Sequence, residues 1–127
     1  MSVIKLFNNQ FLEFLSDVST VFPKDSNIKT ARFFTENLIK VNPSLLIKLW
    51  FRDVTTPYKN EVEAGNLNFF LGKNYNSDVK DKENPESIMQ VIEIIKKMIS
   101  ELNDNEKKKV ISYVQNFTKI SSIYNNK

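Results

Sequence analysis

A chain of 127 residues with 41% hydrophobic and 26% charged residues has the size and composition of one globular domain, too apolar for a disordered tail and too charged for a membrane bundle. It contains neither cysteine nor histidine, which excludes disulfide scaffolds, Cys/His zinc sites, thiol nucleophiles and histidine-based triads. The net charge of +3 is mild, with 16 lysines and 2 arginines set among 15 acids, so charge alone does not mark a nucleic-acid domain.

Helical periodicity runs from the start. Ile4, Phe7, Phe11, Phe14, Leu15, Val18 and Phe22 fall three or four apart, the stripe of an amphipathic helix, and Pro23 closes it. Asp25, Ser26 and Asn27 offer cap oxygens before a second stripe of Ile28, Ala31, Phe34, Leu38 and Val41. Asn42-Pro43 reads as a cap followed by a first-turn proline. The helix after it is apolar on most sides (Leu45, Leu46, Ile47, Leu49, Trp50, Phe51, Val54) and is expected to be the most buried element.

Thr56-Pro57 repeats the cap-and-proline signal and opens a short helical piece ending at Gly65; another, from Leu67 to Leu71, ends at Gly72. Both glycines are expected in the left-handed conformation that terminates helices. Residues 73–83 lose the periodicity and form the one candidate linker or mobile loop. Asn84-Pro85-Glu86 starts a further helix with the stripe Ile88, Val91, Ile92, Ile95, Met98, Ile99 and Leu102. Asn103 with Glu106 resembles a capping box, and the last helix carries Val110, Tyr113, Val114, Phe117, Ile120 and Tyr124. The expectation is a single all-α domain over 1–127. It is a compact bundle of about five main helices plus a short one, the last two forming an antiparallel hairpin over 85–124.

Chemistry-bearing patterns are few. Asn74, Asn76 and Asp78 place oxygens at alternate positions as an EF-hand loop does, but Val79 stands where glycine is needed and Pro85 where the closing glutamate belongs, so no metal is expected. Glu61 and Glu63 point to different faces of a helix, and Asp78, Asp81 and Glu83 are interleaved with lysines. With no Gly-rich phosphate cradle and no catalytic constellation, the reading is a non-enzyme without a cofactor.

Two surfaces stand out as candidates. Asn8, Asn9 and Gln10 interrupt the first helix with poor helix formers; Asn8 lies at the edge of the apolar stripe, placed to bond a neighbouring helix end or a partner protein. Lys96 and Lys97, with Lys107, Lys108 and Lys109, would gather on the C-terminal hairpin as an alternative, nucleic-acid-contacting surface. Nearby Glu93, Glu101, Asp104 and Glu106 dilute it.

The start lacks a basic segment followed by an apolar run, so no signal peptide is read, and Leu45 to Phe51 is far short of the ~20 residues a bilayer span needs. A soluble intracellular protein is expected.

Several local patterns run through the chain: Phe7-Asn8-Asn9-Gln10 with Phe14-Leu15, Phe22-Pro23 with Asp25, Asn42-Pro43, Pro57-Tyr58, Phe69-Phe70-Leu71, and Leu102 with Lys109 to Tyr113. In these it resembles a group of small uncharacterised helical proteins of nucleocytoplasmic large DNA viruses, the mimivirus-like giant viruses and their algal-virus relatives. It departs from them in having Met98 and Ile111 where they carry tryptophans in the two C-terminal helices. The resemblance implies a setting, host cytoplasm or virion, and no mechanism. Together these readings point to a protein–protein interaction module that self-associates or binds a protein, as a virion or virus-factory component or an adaptor on a host protein.

Overall fold

The computed structural model describes residues 2–72, 80 and 85–126. Its helices are α1 (Val3–Val21), α2 (Ser26–Val41), α3 (Leu45–Trp50), a π-helical turn (Phe51–Thr55), α4 (Thr56–Glu63), α5 (Leu67–Gly72), α6 (Pro85–Ser100) and α7 (Asp104–Asn125). Because α3, the π turn and α4 run end to end, the described residues form five long helical stretches plus the short α5. No strand occurs among them. The compact all-α bundle is therefore the fold.

Local chemistry sets most helix ends. Ser2, in extended conformation, accepts the Lys5 backbone N–H at 3.0 Å and starts α1. Pro23 cannot continue that helix, and the Phe22 N–H closes it on the Val18 carbonyl. Asn103 and Glu106 form the reciprocal capping box: the Asn103 side chain accepts from the Glu106 N–H at 2.8 Å, and the Glu106 carboxylate accepts from the Asn103 N–H at 3.0 Å. Gly65 ends α4 with φ of 69°, where a side chain would be strained. Gly72 does not follow this pattern. It is the last residue of α5 and has no positive φ.

Pro43 differs from expectation in lying in the turn between helices, and α3 begins two residues later at Leu45. Pro57 does stand in the first turn of α4, but that helix continues from the preceding one and has no side-chain cap. The chain keeps its helical course by widening to a π turn, in which the Thr56 N–H bonds the Phe51 carbonyl five residues back, and then kinks at Tyr58 (φ −127°, ψ 22°). Proline cannot donate a hydrogen bond, so the register must change near it.

The core is built where α1 lies antiparallel to α7 with α3 laid across them. Phe14 and Asp17 meet Tyr113, while Phe11 and Phe7 meet Phe117. Phe117 is the junction, its ring centroid 5.3 Å from Phe7, 5.4 Å from Phe11 and 5.2 Å from Trp50. Leu15, Val18, Ile28, Ile47, Met98, Ile99, Leu102, Val110 and Ile120 complete the buried cluster. The expected ranking of helices by burial does not hold. In α3 only Ile47 is fully enclosed, while α1 and α7 each bury several residues.

The last two helices follow one another through a short turn, as expected. The turn Glu101–Asn103 joins them, but α6 packs beside α2, whereas α7 runs against α1, α3, the π turn and α4. Met98, Ile99 and Leu102 nevertheless share one buried cluster with Val110, Phe117 and Ile120 of α7. On α2, Thr35 occupies the inward position that the stripe assigned nearby; its hydroxyl is buried and donates to the Ala31 carbonyl at 2.8 Å. Phe33 and Val41 of the same helix face outward.

Removing the junction should be costly. Phe117→Ala is expected to lose about 3–5 kcal/mol, a large part of the ~5–15 kcal/mol that holds a domain of this kind together. Urea denaturation with an unchanged slope would measure it, and a loss below about 1 kcal/mol would show that the ring cluster is not the centre of the core.

Candidate functional site

The Asn8–Gln10 segment divides by burial. Asn8 is 5% exposed, and its side-chain amide donates to the Pro43 carbonyl at 2.9 Å, tying α1 to the turn between α2 and α3. Of the two roles its position suggested, the bond to a neighbouring helix end is the one formed. Its Oδ1 is buried without a hydrogen-bond partner, a cost of about 1–3 kcal/mol that the packing around Phe7 must offset. Asn9 is exposed and Gln10 half-buried, so these two remain on the surface.

A second polar feature was not anticipated. Along one face of α7, Gln115, Thr118, Ser121 and Ser122 form a seam against the broken helix. The Trp50 indole N–H donates to Thr118 Oγ1 at 3.1 Å, and Gln115 Nε2 donates to the Val62 carbonyl at 3.2 Å. Ser121 Oγ donates to the Thr118 carbonyl at 2.9 Å and sits 2.7 Å from the Thr55 hydroxyl. A serine has one hydroxyl proton, so Thr55 is the donor of that pair. Thr56 Oγ1 adds a bond to the Phe51 carbonyl at 2.9 Å, within the π turn. The signal available in the sequence was the 3–4 spacing of Gln115, Thr118 and Ser121–Ser122 beside the apolar stripe, together with a tryptophan whose N–H needs a partner once buried. Each of these groups bonds another protein group, so the seam fastens helices and presents no idle nucleophile.

A third cluster joins α1 to α7 at the surface. The Tyr113 phenol donates its one proton to Asp17, with the Glu13 carboxylate 3.5 Å away. Partial burial, the bond to Asp17 and the nearby carboxylate charges push its pKa well above the usual tyrosine value. The phenol is therefore held as a proton donor. It flanks a shallow groove of about 230 Å³ with Lys109, Glu106 and Val21.

The five lysines divide between two helices, each set among acidic side chains. Lys96 lies 3.7 Å from Glu93, and Lys97 borders a groove with Asp25, Glu86, Glu93 and Glu101. Lys109 belongs to the separate groove by Tyr113 and Asp17. Lys107 and Lys108 share the first turns of α7 with Asp104 and Glu106. The alternating oxygens at 74–78 lie outside the described residues, as does all of segment 73–83 except Lys80. Among the described residues there is no group of three or more acidic side chains able to hold a metal ion, and no helix long and apolar enough to cross a membrane.

Large apolar side chains also reach solvent. Phe33 is 67% exposed and Val41 86% exposed on α2, and Ile123 of α7 is 52% exposed. Leu6 and Val21 of α1 are exposed to a smaller degree. No protein-family model, curated protein or solved structure matches the chain.

Two side chains here can be tested. Asn8→Ala should lower stability by about 1 kcal/mol through loss of the Pro43 bond. Asn8→Asp should cost more at neutral pH, because a carboxylate there faces a carbonyl oxygen. The introduced carboxyl would have a raised pKa in the folded state, so part of the loss should return as pH falls and a proton is restored to donate to Pro43. Thermal melts at about pH 7 and about pH 4.5, each referred to the parent chain, would show it; an equal deficit at both values would refute the contact.

Tyr113 gives an alkaline signature. Its raised pKa favours the protonated folded form, so its contribution is complete below about pH 10, the unfolded value, and is lost as pH climbs above that. In Tyr113→Phe the steepest alkaline fall in stability should flatten, and the latest component of the phenolate absorbance titration should vanish.

Proposed function

We propose that this chain is a non-enzymatic protein–protein interaction module whose contact surface is the outer face of α2. The observation that carries this reading is Phe33, two-thirds exposed on a helix whose inner positions are already packed. Val41 follows two turns on, about 12 Å along the axis and about 80° around it, on the same broad side. Exposed aromatic and aliphatic groups on an ordered helix are the material from which interface centres are made. Leu6 and Val21 of α1 and Ile123 of α7 are further apolar side chains that reach solvent.

The chemistry of the polar groups supports a binding role over a catalytic one. The buried hydroxyls are committed to helix contacts, and the Tyr113 phenol is held protonated, which makes it a poor base. The setting that accompanies this proposal is the one implied by sequence resemblance, a virion or virus-factory component or an adaptor on a host protein.

Size-exclusion chromatography with light scattering, at low and high salt, tests the reading. Self-association through an apolar face should survive high salt and be abolished by Phe33→Asp with no change in helical content. The parent chain remaining a monomer at high concentration, with Phe33→Asp leaving both association and partner capture unchanged, would count decisively against α2 as the surface.

A further inference from the structure

The outer side of α2 carries charge as well as apolar groups. Lys29, Phe33 and Lys40 lie in one line, within about 40° of each other around the helix, with Phe33 about 6 Å from Lys29 and about 10 Å from Lys40 along the axis. Ser26, Thr30, Asn37 and Val41 complete a sector of about 120°, and every side chain in it is exposed. The ring of Phe33 is thus presented between two cations.

No acid lies in this sector. Glu36 stands just outside it and is held by Arg32 at 2.9 Å, and Lys29 and Lys40 form no ion pair among the described residues. A second copy of the face would therefore bring lysines and no carboxylate to meet them. Nucleic acid is also a poor match. Two cations neutralise about two phosphates, where a protein held by its phosphate contacts makes about 6–10, and Phe33 and Val41 gain more from apolar side chains than from a sugar–phosphate backbone. The matching surface is an apolar group flanked by carboxylates.

We infer that this face of α2 binds an acidic amphipathic helix of a partner protein. The inference rests on the reading of α2 as the contact surface and adds to it the chemical class of the partner. Lys29 and Lys40 are eleven residues apart, about 16 Å or three turns. Carboxylates at the same separation along the partner helix would meet both, while an apolar side chain between them covers Phe33. Val41 and the half-buried Phe34, at one edge of the sector, widen the apolar contact on that side.

The test uses a fluorescent synthetic peptide of 16 residues, the length of α2, with leucines on one helical face and glutamates flanking them. A control peptide carries lysine at every glutamate position. The full chain should bind the glutamate peptide and not the control, and binding should weaken as NaCl rises from about 50 to about 300 mM. The double variant Lys29→Glu/Lys40→Glu should weaken binding at least about tenfold and transfer it to the lysine peptide. Phe33→Ala should weaken it by a similar factor. Lys108→Glu/Lys119→Glu, an equal charge change at exposed positions of α7, should leave it unchanged. Equal losses in the two lysine pairs, indifference to Phe33→Ala, or no binding at all would overturn the inference. So would a DNA oligonucleotide that binds the same face more tightly than the peptide. Salt-resistant self-association lost in Phe33→Asp would overturn it too, while leaving α2 standing as the contact surface.

Discussion

Phe117 can be buried only if three helices meet over it, and the rest of the fold follows from that demand. Its ring touches Phe7, Phe11 and Phe14 from α1, Trp50 from the end of α3, and Tyr113 one turn back on α7. Seating these rings fixes α1 antiparallel to α7 and sets α3 across both. Two polar groups are drawn inside as a consequence. The Trp50 indole N–H, enclosed with its ring, needs an acceptor and finds Thr118, the residue next to Phe117. Asn8, next to Phe7, is carried into the same interior and finds the Pro43 carbonyl. Its second polar atom finds nothing, which measures how strongly the aromatic packing dictates the position of that helix.

The π turn is the other compromise. A proline in mid-helix removes one donor and crowds the carbonyl four residues before it. Here the chain absorbs Pro57 by widening the preceding turn and kinking at Tyr58. The widened turn has a use: Thr55 faces α7 and pairs with Ser121 in a buried contact. Thr56 satisfies the Phe51 carbonyl twice, by backbone and by hydroxyl. The helical course therefore continues through this irregular point, and α3, the π turn and α4 all keep contact with α7.

How much of this was legible in the sequence depended on whether the signal was local. The closure of α1 at Pro23, the start of α6 at Pro85, the Asn103–Glu106 capping box and the left-handed Gly65 were readable because each is decided within a few residues. Pro43 and Pro57 carry the same local signal as Pro85, yet tertiary packing gave them other tasks, a turn that meets Asn8 and a kink that follows α7. The contact of α6 with α2 was not readable, because periodicity identifies an apolar face and does not say which other face covers it. Of the candidate residues, Asn8 was recognisable as unusual from its place beside Phe7, while Thr118 and Ser121 passed as ordinary helix positions because their partners lie more than sixty residues away.

The distribution of packing also explains where open surface remains. The aromatic junction locks α1, α3 and α7 together, and the π turn and α4 are fastened to α7 by the polar seam. The helices α2 and α6 lie outside that frame. Among the described residues α2 touches α1, α3 and α6, whereas the close packing of α6 is with α2. A helix held along one side keeps its other side for solvent or for another molecule. On α2 that side carries Phe33 and Val41; on α6 it carries the exposed row of Glu86, Glu93, Lys97 and Glu101. The two outer surfaces therefore differ in character, one built around apolar side chains and the other charged, although both helices also give residues to the common core through Ile28 and Met98.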